Sequence, residues 1–310
     1  QRGHSRRRRS WGSSRRGRFI SRRIRRIVPI YYVANLVLVV GVLAVPAAFE
    51  RTVFDLSHLI SSLLFIPAYD PSGTGLIIPF FKLGWTLNYE MFFYLLFASL
   101  FALNGWQRGV TIIGLLSVLI VIGSLVEFEA AVLDFYTRVA TAGFASGVLI
   151  GLVTLSRPHR VFELSPALLA AALTLCLAIL GWVLTDYDEV RHDDSATLLF
   201  SIAAALNVLV LVAVIDGRDW KVPAPLLYLG DASYSIYLFH MFGVGVMTIV
   251  ARRLPDAFLY PALGFSGLAG IAAGVVAYWL VEARLNRFFR HRRPLTAAQL
   301  VGAPGRGAAE

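Results

Sequence analysis

The chain has 310 residues, of which 57% are hydrophobic and only 15% charged, and its mean hydropathy is +0.67. A soluble domain carries about a quarter charged residues, so this composition excludes an ordinary soluble fold and indicates a polytopic membrane protein. The net charge of +10 lies mostly in two clusters flanking hydrophobic segments, which weighs against nucleic acid as a partner and favours the membrane surface.

The chain opens at Gln1 with no signal-peptide layout and reads as a piece whose native start is missing. Residues 1–18 form a low-complexity basic segment, expected to be disordered or attached to lipid. From Phe19 the run FISRRIRRIVP leads into the first hydrophobic stretch. Arg23 and Arg26, one helical turn apart, present adjacent guanidiniums that suit phosphates. Anchoring to anionic lipid explains the same cluster, and spacing alone prefers that plainer reading.

A hydrocarbon core of about 30 Å needs about 20 apolar residues in a helix. Eight segments qualify, at residues 28–48, 85–103, 109–126, 138–155, 165–184, 196–215, 225–250 and 258–281. Backbone polar groups in lipid must be satisfied within each segment, so the expected fold is all-α, a transmembrane bundle of about eight spans. Residues 59–66 are too short to span and, with Pro67, Pro71, Gly73 and Gly75 behind them, suit an interfacial or re-entrant piece. The lone Cys176 lies in an apolar run and reads as a packing residue. If residues 1–27 are cytoplasmic, 23 of the 29 lysines and arginines fall on that side, which places both termini there. Three parts follow: the basic segment 1–18, a transmembrane domain over 19–293, and an Ala/Gly/Pro-rich tail over 294–310.

Ionisable groups within the bilayer are costly and mark candidate sites. At the outer start of the second span stands Trp85-Thr86-Leu87-Asn88-Tyr89-Glu90, followed by Tyr94. Thr86, Glu90 and Tyr94 stack on one helix face. A carboxylate flanked by hydroxyls can hold a sugar hydroxyl, accept its proton or orient an imidazole; a buried glutamate satisfied by a neighbouring helix is the plainer alternative. Trp85 and Asn88 join Thr86 and Tyr94 as substrate-binding candidates. The seventh span carries Ser233, Tyr237 and His240 on one face, with His240 a candidate proton carrier or a satisfied core histidine. At 1.5 Å per residue, Glu90 and His240 fall at similar depth in the outer half, which permits a contact between them. Glu282, at the inner end of the last span, could pair with the arginine cluster. His58, His159, His192 and His291 lie in loops or tails without metal-ligand spacing, so no metal site is expected. No P-loop, dinucleotide fingerprint or nucleophile elbow occurs.

Four segments together resemble the acyltransferase-3 family of membrane-bound O-acyltransferases. FISRRIRRIVPIYY is similar to its arginine-rich approach to a helix, and GWTLNYEMFFYLLF to its Trp-Ser/Thr-Leu-x-x-Glu…Phe-Tyr motif. LGDASYSIYLFH resembles its Gly-x-x-Ser-Tyr-Ser-x-Tyr-x-x-His motif, and YWLVEARLNRFF its closing Glu-containing helix. The resemblance runs from about Phe19 to Phe289, and GWTLNYEMFFY is closest to the branch associated with exopolysaccharide production. It implies transfer of an acyl group, commonly acetyl, from cytoplasmic acyl-CoA to a carbohydrate hydroxyl. It also implies Arg23 and Arg26 near the donor's phosphates, and Thr86, Glu90 and Tyr94 in the reaction channel. The family's usual ten helices, the first with an arginine and the catalytic histidine ten residues apart, imply two helices absent before Phe19. The identity of the base and the activity of the chain as given stay open on that account.

The expected protein is therefore a multi-pass enzyme of a bacterial-type inner (plasma) membrane, with Glu90 and His240 as catalytic candidates. Arg23, Arg26, Trp85, Thr86, Asn88, Tyr94, Ser233 and Tyr237 are its substrate-binding candidates. No cofactor is expected to be bound; acyl-CoA is the donor substrate, and membrane lipid and a polysaccharide or lipid-linked glycan acceptor are the other partners. The competing readings are a proton-coupled transporter or flippase for a lipid-linked saccharide, with Glu90 and His240 relaying protons, and a membrane anchor whose arginine tract recruits partners. An acyl-CoA user needs the arginine cluster, whereas a carrier does not.

Overall fold

The computed structural model describes residues 2–49, 52–156, 170–172, 174–175, 177–179, 194–215, 222–255 and 258–291. Among them the architecture is all-α: α1 Arg2–Ala44, α2 Leu56–Leu63, α3 Trp85–Ser99, α4 Gly105–Leu125, α5 Ala131–Thr137 and α6 Ala142–Ser156, then α7 Asp194–Ile215, α8 Ala224–Ala251, α9 Leu259–Ala277 and α10 Ala283–His291. A π-helical turn, Tyr278–Glu282, joins α9 to α10. The described residues contain no strand; an isolated antiparallel bridge pairs Tyr69 with Ile77.

Six helices among the described residues are long and apolar enough to cross a bilayer: Arg15–Ala44, Gly105–Leu125, Val139–Ser156, Ser195–Val212, Ala224–Ala251 and Tyr260–Phe288. They match six of the eight expected segments. The expected span 85–103 is shorter than predicted, because α3 ends at Ser99 after 15 residues. At 1.5 Å per residue that is about 22 Å, less than the hydrocarbon thickness. Most of the expected span 165–184, including Cys176, lies outside the described residues, as do His159, His192 and the tail 294–310. The long α1 includes the basic residues 2–18 and carries Pro29 inside it.

The chain divides into two compact units, one of residues 1–25 and 35–221, the other of residues 26–34 and 222–310. In the first, Ile77, Tyr89 and Phe135 form a buried cluster with Ala131, Tyr136, Ala140 and Phe144 packed against it. The helix ends follow local chemistry. Asn104 caps α4 through a capping box with Gln107. Asp55 caps α2 by accepting the His58 backbone N–H at 2.6 Å. α2 closes on Phe65, whose φ of 58° is left-handed; the amides of Phe65 and Ile66 return to the carbonyls of Ser62 and Ser61, the Schellman pattern that glycine usually fills.

The second unit is built on α8 against α9. A Cβ on Gly274 would lie 2.2 Å from the Ile236 Cα, and one on Gly243 2.3 Å from the Ala269 carbonyl oxygen. Small residues at these points let the helix backbones approach closely, the usual solution where lipid offers no hydrophobic drive between helices.

Candidate active site

The chemistry of the first unit gathers around α3. Glu90 and Tyr94 are four residues apart on one helix face, and the Tyr94 phenol donates a short hydrogen bond to the Glu90 Oε1. Glu90 is half-buried. Over the Tyr94 ring lies Arg23 of α1, its guanidinium carbon 4.9 Å from the ring centroid and 5.4 Å from that of Phe19. Phe19 packs edge-on against Tyr94 at 5.7 Å and against Phe97 and Phe101 at 5.3 and 5.5 Å. The sequence places Glu90 in the outer half and Arg23 on the cytoplasmic side. In the structure one tyrosine, Tyr94, meets both.

The same aromatic group carries a second cation that sequence reading used only for counting charge. The Arg108 guanidinium lies 4.5 Å from the Phe101 ring and 4.9 Å from the Phe97 ring. It donates to the carbonyls of Leu100 and Leu103 at 3.2 and 2.9 Å. A cation on carbonyls just past a helix C-terminus satisfies oxygens left open there and complements the helix dipole. Its partners are eight and five residues upstream across a turn, which helical spacing does not signal.

At the start of α3 the remaining candidates separate. The Thr86 hydroxyl donates to the Leu83 carbonyl at 3.2 Å, so one of its bonds serves the helix start. Trp85 is exposed and stands edge-on to Tyr89 at 6.0 Å. Tyr89 stacks on Phe135 at 4.2 Å and donates to its carbonyl at 2.6 Å. Asn88 is 1% exposed, and neither atom of its amide finds a hydrogen-bond partner among the described residues. Its backbone carbonyl accepts from Tyr136, whose phenol burial pushes up to about 12, so it stays a donor at neutral pH.

Sequence spacing missed a buried polar group in this unit. His58 belongs to α2 and is not a loop residue; its Nε2 donates to the Ile78 carbonyl at 2.8 Å. Its Nδ1 is buried without a partner among the described residues. One turn on, the Ser62 hydroxyl meets the Asn35 carbonyl oxygen at 3.5 Å. Asn35, His58 and Ser62 are each at most 6% exposed.

In the second unit α8 turns Ala232, Ser235, Leu238 and Phe239 inward. The Ser235 hydroxyl donates at 2.5 Å to Glu282, 47 residues later. Both side chains are buried, and the carboxylate lies within electrostatic reach of Arg26 and Asp231. The expected pairing of Glu282 with the arginine cluster thus takes the form of proximity to Arg26, with Ser235 as the hydrogen-bonded partner. Tyr234 donates to the Ile27 carbonyl at 3.3 Å. Of the expected Ser233–Tyr237–His240 face, Tyr237 and His240 are half-buried neighbours with rings 6.3 Å apart, whereas Ser233 is exposed. Ser235 and Tyr234, in the same motif, are the residues turned to the interior. His240 holds its Nδ1 on the carbonyls of Tyr237 and Ile236, at 2.8 and 3.2 Å. Carbonyls only accept, so Nδ1 carries a proton and donates it to them. Glu90 belongs to the first unit and His240 to the second.

Comparison with known proteins agrees with the motifs that build both units. The acyltransferase domain of the acyltransferase-3 family matches residues 9–281. The chain is similar to the exopolysaccharide production protein ExoZ of Rhizobium meliloti (strain 1021), with 38% identity over 277 residues, 89% of this chain and 83% of that protein. No solved structure matches it. A match over most of the chain, together with motif residues gathered as described, shows that this protein belongs to the acyltransferase-3 family of membrane acyltransferases.

Proposed function

We propose that the protein is a membrane-bound O-acyltransferase of the bacterial inner membrane. It moves an acetyl or similar acyl group from cytoplasmic acyl-CoA to a hydroxyl of an exopolysaccharide or its lipid-linked precursor. The observation that carries this reading is the arrangement on α3: a half-buried carboxylate, Glu90, fixed by Tyr94, with the Arg23 guanidinium on the same ring. Arg23 makes no ion pair among the described residues, so its charge is suited to a donor phosphate. Arg26, in the second unit, carries a further guanidinium of the kind that suits a phosphate.

Tyr94 occupies Glu90 Oε1, and the second carboxylate oxygen is available to accept a hydrogen bond from the acceptor hydroxyl. In the transfer that hydroxyl oxygen bonds to the thioester carbonyl carbon, its proton passes to a base, and the C–S bond breaks. Coenzyme A leaves as a thiolate that takes up a proton. Glu90 orients the attacking hydroxyl. Trp85, which is exposed, is suited to a sugar contact. The similarity to ExoZ, an exopolysaccharide production protein, supports the choice of acceptor.

The test is incubation of membranes carrying the protein with labelled acetyl-CoA and the host polysaccharide. Label is expected in the polysaccharide as an alkali-labile ester. Glu90→Gln, which retains an oxygen for Tyr94, is expected to lower transfer by about 10²–10⁴-fold. Full activity in that variant removes Glu90 from the chemistry. No label with the wild type removes the acyltransferase reading and favours the saccharide carrier, for which proton uptake on substrate addition is the positive sign.

A further inference from the structure

We propose that Tyr94 is a positioning residue that couples the donor site to Glu90: its ring holds Arg23 and its hydroxyl holds the carboxylate. Donor phosphate bound at Arg23 thereby bears on the orientation of Glu90. This inference rests on the acyltransferase reading above and assigns within it a link that neither motif shows separately.

Three observations support the link. First, the two contacts use different parts of one side chain. The guanidinium carbon of Arg23 is 4.9 Å from the ring centroid, while the phenol hydroxyl donates to Glu90 Oε1. Second, the ring has little room to turn away. Phe19 meets it edge-on at 5.7 Å and Phe93 lies 6.3 Å away. Phe19 also shares Arg23, so the cation is held between two rings. Third, the contacts are chemically cooperative. A cation over the face of a phenol draws electron density from the ring and strengthens its O–H as a donor. Moving Arg23 toward a phosphate changes that polarisation at the atom that fixes Glu90. A mere intrahelical Tyr–Glu pair would have no need of the arginine from α1.

Tyr94→Phe separates these functions, because the ring stays under Arg23 while the hydrogen bond to Glu90 is lost. Steady-state transfer is measured in membranes with acyl-CoA varied, for the wild type, Tyr94→Phe, Arg23→Gln and the double variant. Tyr94→Phe is expected to lower kcat at least tenfold with KM for acyl-CoA changed less than twofold. In the Arg23→Gln background the same substitution is expected to lower kcat less than threefold. Unchanged kcat in Tyr94→Phe, or equal effects in the two backgrounds, overturns the coupling and leaves the acyltransferase reading standing. Wild-type membranes that transfer no acyl group overturn both. If Tyr94→Phe fails to accumulate, Glu90→Asp takes its place: the shortened carboxylate leaves the phenol, and the same loss of kcat and the same dependence on Arg23 are expected.

Discussion

His58 acts on its surroundings through its backbone N–H and its Nε2. Its backbone N–H is held by Asp55 and its Nε2 by the Ile78 carbonyl, so this one residue ties α2 to the segment that precedes α3. Glutamine places an amide N–H near the position of Nε2, whereas leucine leaves the Ile78 carbonyl without its donor. His58→Leu is therefore expected to destabilise the protein by about 1–3 kcal/mol, and His58→Gln by distinctly less, read as melting temperature in detergent. Asp55 adds a pH dependence at the same place. The Ser57 hydroxyl and then the His58 amide hold its carboxyl below the usual carboxylate range. A depressed carboxyl stabilises the helix start above its ordinary pKa, and that stabilisation is lost as pH falls through the lower folded value. Amide exchange in α2, corrected for the intrinsic pH effect, is expected to be equally protected at pH 7 and 5 and faster near pH 3. None of this was legible from spacing: a histidine beside a Pro/Gly-rich stretch reads as a loop residue until its partner, twenty residues on, is known.

Helix packing sets the next level of constraint. Gly267 and Gly274 lie on the same helix, α9, and differ only in what faces them. A Cβ on Gly267 meets nothing within 4 Å, but one on Gly274 would lie 2.2 Å from the Ile236 Cα. Gly274→Ala is expected to cost at least 1–3 kcal/mol through forced separation of α8 and α9. Gly267→Ala is expected to be neutral or stabilising by about 0.5–1 kcal/mol, since alanine is the better helix former. Melting of the two variants side by side checks the contrast. The π-helical turn at Tyr278–Glu282 ends on the residue that receives the Ser235 hydroxyl. Such turns insert a residue locally and re-aim the side chains beside them. Ser235→Ala removes the donor from a buried carboxylate, so it is expected to destabilise by about 1.5–3 kcal/mol in the same melt. The motif Ser233-Tyr234-Ser235 does not reveal which serine turns inward. That choice is made by the face α8 presents to α9 and to the turn carrying Glu282, a contact between residues 47 apart.

At the scale of the whole molecule, the asymmetry of lysine and arginine predicts a cytoplasmic C-terminus. A reporter active only in the cytoplasm, fused after residue 310, is expected to be active, and one active only outside to be silent. Composition and hydropathy determined the membrane setting, the all-α class and six of the expected spans, because a bilayer leaves a long apolar segment no alternative to the helix. Motif wording carried the family, and helical spacing carried the Glu90–Tyr94 pair, since residues four apart share a face. Tertiary structure alone decided that Arg23 lies on Tyr94, that Arg108 closes the end of α3, and that Ser235 rather than Ser233 meets Glu282. These contacts join residues from 5 to 71 positions apart, and no local period records which helix faces which; only packing brings the partners together.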